Sequence, residues 1–135
     1  MDIATSWEAD EQQVPEEHPT AAELHFKNLP AFMEHLAVLY RRNIDTAGTG
    51  GLRWCPKWWL HPEAFSRLEA LWRSWEHLRL DGQTGISVWW RDHADPHMAR
   101  LMSSDGPFQA CNVQDGHKAK LRDLPLEFPP DELFN

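Results

Sequence analysis

Residues 1–23 contain no lysine or arginine, but they carry seven acids. Removing those seven from the 21 Asp and Glu leaves 14 acids against 13 bases in residues 24–135, so the net charge of −8 belongs almost entirely to the leader. A near-neutral body offers little attraction to a phosphate backbone, which argues against a strong nucleic-acid interface. Cysteine is scarce. Cys55 and Cys111 are the only two, far apart and without a Cys-x-x-Cys, so no disulfide framework is expected. No apolar run reaches the length of a membrane span. The start MDIATSWEAD lacks the basic and apolar regions of a signal peptide, so a cytoplasmic protein with reduced thiols is expected. The glycines of DTAGTGG, residues 45–51, are not followed by Gly-Lys-Ser/Thr, which excludes a phosphate-binding loop.

Tryptophan is plentiful. Eight of them in 135 residues supply large buried areas, enough for a single-domain core despite the negative mean hydropathy. Residues 1–21 bury too little to order themselves and read as a flexible acidic leader, with 22–128 as one globular domain and 129–135 as a tail. Pro30 opens a helix with Phe32, Leu36, Leu39 and Tyr40 on one face. Pro62 opens a second, whose stripe runs through Phe65, Leu68, Leu71, Trp72, Trp75, Leu78 and Leu80. ISVWW, residues 86–90, alternates and reads as a strand, paired with 52–54 or 108–113. Asp95 and Pro96 read as the cap and first residue of a short third helix. The expected fold class is α+β: two main helices, a short third helix and a small sheet around Ile86–Trp90.

WWRDHADPH, residues 89–97, is the densest collection of chemistry. Three uses are open to it. Trp58, Trp59 and Trp89, with Arg53, Lys57, Arg91 and Asp92 among them, suit an aromatic platform that binds an acidic peptide or stacks bases. Asp92, His93 and His97 suit a hydrolase, although no nucleophile is marked nearby. Cys55, His61, His93, His97, Cys111 and His117 all fall outside the middles of the expected helices. Two thiolates and two imidazoles from this set, with Cys55, His93, His97 and Cys111 as the candidate ligands, suit a tetrahedral zinc. The plainer expectation is no cofactor, with both cysteines as small buried hydrophobes and the 89–97 stretch as a structural corner.

The stretches WCPKWWLHPEAFSRLEALWRSWEHLR, GISVWWRDHADPHM and DGPFQAC together resemble the actinobacterial domain-of-unknown-function family 4913, over about residues 30–128. The resemblance implies a cytoplasmic accessory protein of a plasmid, conjugative element or phage, and implies no activity. Its marked positions run from Trp54 and Cys55 through Trp89 to His97 and on to Phe108 and Cys111, without separating core from site. The expected function is therefore a non-enzymatic module acting on a protein partner, with nucleic-acid binding weak or absent and no membrane involved. The alternatives are the Trp/Arg nucleic-acid module and the Asp92/His93/His97 hydrolase.

Overall fold

A computed structural model describes residues 23–48 and 50–134. The leader, and with it the expectation that it is flexible, lies outside the described residues. The fold is helical. Helix α1 spans Leu29–Leu39 and α2 spans Pro62–Leu78, while α3 (Gly85–Trp89) runs through a π turn (Trp90–Ala94) into α4 (Asp95–Leu101). The described residues thus form three helical rods joined by irregular segments.

The expected sheet is absent. The described residues contain no β-strand, only two isolated bridges, Ile44 to Leu52 and Asn112 to Gly116. ISVWW is helical because its buried positions belong to a longer pattern. Gly85, Trp89, Ala94, Met98 and Leu101 are all buried, spaced four, five, four and three residues apart. That is one helical stripe with a single five-residue step, and the step falls in the π turn. The cause lies in Pro96. It cannot donate to the carbonyl four residues back, and its ring crowds that carbonyl. The backbone widens instead, and the N–H of Asp95 donates to the Trp90 carbonyl five residues earlier.

This continuity also corrects the expected cap. Asp95 does not end a loop; Ala94 precedes it in helical conformation, and no side chain caps α4. The side-chain cap of this fold is at α1, where Asn28 Oδ1 accepts from the Ala31 N–H at 3.0 Å, just before Pro30.

The core forms where α1, α2 and the bent third rod meet. Phe32, Leu36, Leu68, Leu71, Trp89 and Leu101 are buried there. Trp89 is fully enclosed, stands edge-on to Phe32, and donates its indole N–H to the Leu71 carbonyl at 3.0 Å. Gly85 lets the third rod start directly against α2, since a Cβ there would collide with the Leu78 carbonyl. A buried acid, Glu76, ties the segment before α1 to α2. Its carboxylate accepts from the backbone N–H groups of His25 and Phe26, from the Trp72 indole and from Arg79.

Candidate metal centre

Beyond the three rods the same core continues between irregular segments, and the two cysteines lie there with Phe108. Cys55 sits between the half-buried Trp54 and a one-turn 3-10 helix, Trp58–Leu60. That turn reverses the chain, so that His61, the residue that begins α2, points back toward Cys55. Cys111 begins a second reversal. The Asn112 carbonyl accepts from the Gly116 N–H at 2.9 Å and its side chain accepts from the Asp115 N–H at 2.7 Å. Gly116 has a φ of 83°, a conformation that favours glycine, and this returns His117 to Cys111.

The four ligand atoms of Cys55, His61, Cys111 and His117 lie within 4.8 Å of one another. His117 Nδ1 is 3.0 Å from His61 Nε2 and 3.5 Å from the Cys55 sulfur. The Cys111 sulfur is 3.5 Å from His61 Nε2 and 3.8 Å from His117 Nδ1. A tetrahedral ion with nitrogens at about 2.0–2.1 Å and sulfurs at about 2.3 Å sets nitrogen pairs about 3.4 Å apart and sulfur–nitrogen pairs about 3.6 Å apart. The three sulfur–nitrogen distances fall near those values, and the nitrogen pair, at 3.0 Å, is somewhat closer. The described residues therefore contain a Cys2His2 cluster able to hold a metal ion.

The surroundings suit ligation. Both cysteines and His61 are buried, and both thiols are free. Cys111 accepts from the Lys118 N–H at 3.3 Å, and Cys55 accepts a backbone hydrogen bond from Lys57. Backbone donors of this kind stabilise a thiolate and orient it. Burial pushes the metal-free Cys55 thiol up to about 11, with the neighbouring Cys111 adding to the rise. Burial, and then His117, push His61 below its ordinary value, which favours the neutral ring a metal requires. The His61 ring packs edge-on against Phe108, which packs in turn against Trp54.

The structure joins Cys55 and Cys111 with His61 and His117, not with His93 and His97. His93 lies half-buried in the π turn. His97 faces α2, with Nδ1 3.0 Å from Arg67, and is held below its ordinary value by burial and then by that guanidinium. The pairing carries a sequence signal that the absence of Cys-x-x-Cys obscures. Cys55 to His61 and Cys111 to His117 are both Cys-x5-His, so the ligand set is one short motif used twice.

The other candidate residues do not assemble. Trp58 and Trp59 stand edge-on at 5.7 Å, Trp58 half-buried and Trp59 exposed, but Trp89 is in the core and cannot join them in a platform. Asp92 is held by Arg91 at 2.8 Å on an exposed face, and that pairing keeps its carboxyl below the usual range.

The sequence profile of one protein family, described as a domain of unknown function (DUF4913), matches residues 26–130, a span that includes all four clustered residues. No curated protein and no solved structure matches the chain.

Proposed function

The chain belongs to the DUF4913 family, and from that premise we propose that it is a non-enzymatic accessory module, held together by one structural zinc ion and acting through protein contacts. The observation that carries this reading is the closed Cys2His2 set of Cys55, His61, Cys111 and His117. Four protein ligands complete a tetrahedral zinc, whereas a catalytic zinc keeps a position for water or substrate. Zinc suits this donor set better than calcium or magnesium, which take oxygen ligands. When bound, it would join the entry of α2 to the 111–118 segment, two regions otherwise far apart in sequence.

Protein contact is supported by large apolar side chains left in solvent, including Trp59, Leu60 and Phe65 around the α2 entry. The setting on a plasmid, conjugative element or phage of an actinobacterium rests on the resemblance alone, and conjugation or phage genes beside the coding sequence would support it.

The test is elemental analysis of full-length protein purified without chelator, followed by X-ray absorption at the metal edge. One zinc per chain is expected, with two sulfur and two nitrogen ligands. A water among the ligands, or fewer than four from the protein, would overturn the structural role and reopen an enzymatic one.

A further inference from the structure

Residues 119–130 form no regular element and end in a single 3-10 turn, Asp131–Leu133, and none of the described residues buries their large apolar side chains. Leu124, Leu126 and Phe128 are 83, 89 and 102 % exposed, and Leu133 and Phe134 are exposed as well. Prolines at 125, 129 and 130 favour an extended backbone here. Residues at 124, 126 and 128 share one face of such a chain, because side chains alternate. Residues 123–134 also carry four acids, Asp123, Glu127, Asp131 and Glu132, and no lysine or arginine.

The body of the molecule has a matching surface. Two adjoining cavities of about 300 and 710 Å³ run along the outer side of α1 and share Met33, Ala37 and Trp54 as their floor. Trp58 and Trp59 wall one end, and Arg41 and Arg42 border the other. The dimensions agree. An 11-residue α1 is about 16 Å long, and five extended residues, 124–128, span about the same.

We propose that the C-terminal segment of one copy lies in the α1 groove of a second copy, and that two copies exchange these arms reciprocally. Leu124, Leu126 and Phe128 face the groove floor, with Leu124 toward Trp58 and Trp59. Glu127, with Asp131 and Glu132 beyond it, meets Arg41 and Arg42. This direction also keeps those acids away from Glu34, which borders the groove nearer Pro30. Within one chain the arm leaves its own groove uncovered, so the pairing is between chains. A reciprocal exchange is closed and symmetric. Each buried phenylalanine contributes about 150–250 Å². The two Phe128 rings account for about 300–500 Å² of the roughly 1,200–2,000 Å² of a stable interface, and the leucines of both arms with the two grooves they cover add to it.

The inference rests on the reading of the domain as a protein-contact module, and it names a second copy as the contact. It is tested by sedimentation velocity on the full-length, zinc-loaded chain across a concentration series. A dimer is expected. Phe128→Ser in the arm and Ala37→Glu in the groove should each raise its dissociation constant about tenfold or more, the scale of losing a buried anchor. Zinc content should not change in either variant, and melting temperature should match the parent at concentrations where the parent is monomeric. An equimolar mixture of the two variants should recover association, since one intact arm and one intact groove remain between them. A monomer at every concentration overturns the exchange, whether residues 1–22 or the chain's own arm cover the groove. So does a dimer indifferent to both substitutions, or a mixture with no recovery. Each of these outcomes would leave zinc stoichiometry and coordination, and the module reading they test, untouched.

Discussion

At the scale of single residues, Glu76 and Trp89 show how a buried charge and a buried ring are each accommodated. Glu76 lies inside the apolar stripe of α2, where a charge is costly unless fully bonded. Burial alone would raise its pKa. The donors from Phe26, His25, Arg79 and Trp72 outweigh that and hold it below its ordinary value of 4.5. A depressed carboxylate contributes stability that is fully present above the unfolded value and is lost as pH falls through the folded one. Glu76→Gln is expected to cost about 1.5–3 kcal/mol in urea unfolding at neutral pH, with the gap to the parent protein narrowing below about pH 4.5. An unchanged gap down to acid pH would show that its charge contributes nothing. Trp89 illustrates the opposite case, a residue that looks like a binding group and is core. Its replacement by alanine should cost about 3–5 kcal/mol, read from the same unfolding curves. A loss of binding with no loss of stability would return it to the surface.

At the scale of elements, the third rod is the instructive one. Five residues, ISVWW, alternate like a strand, but seventeen residues, 85–101, carry a helical stripe with one inserted position. A short window cannot distinguish the two, because the π turn shifts the phase within it. Proline at 96 reads in sequence as the start of a helix; packing keeps the rod continuous and the π turn absorbs the missing donor. The junction with α2 depends on Gly85. Gly85→Ala places a methyl against the Leu78 carbonyl and should destabilise by about 1–3 kcal/mol, an overpacking cost visible in thermal melts. A variant that melts with the parent protein would mean that the two helices can move apart freely.

At the scale of the whole molecule, the two Cys-x5-His turns meet at one edge of the core. The segments 52–61 and 108–118 have no regular element of more than one turn between them. Their order depends on what joins them. Chelation is expected to lower the melting temperature reversibly, with recovery on adding zinc. Cys55→Ser and His61→Ala should abolish stoichiometric zinc, while His97→Ala should retain it, because His97 faces Arg67 on the far side of α2's packing. Zinc lost in His97→Ala and kept in His61→Ala would reverse the assignment of ligands. Among the described residues no helix is long and apolar enough to cross a membrane.

The sequence by itself determined what its chemistry and local pattern enforce. Pro30 and Pro62 and the stripes behind them specify α1 and α2, since period and first-turn proline are local properties. The family, too, is carried by contiguous motifs. Two cysteines and four histidines, His61, His93, His97 and His117, were legible as candidate ligands, but which histidines meet the thiols was not. Ligation depends on where two chain reversals 56 residues apart come to rest, and that is set by the packing of Phe108, Trp54 and His61. The tertiary structure likewise decided helix over strand at Ile86–Trp89, because only the floor beneath Trp89 reveals which residues share a face. Local propensity fixes an element when its signal exceeds the packing energy it must meet; here the core was stronger, and it fixed the third rod and the Cys/His cluster together.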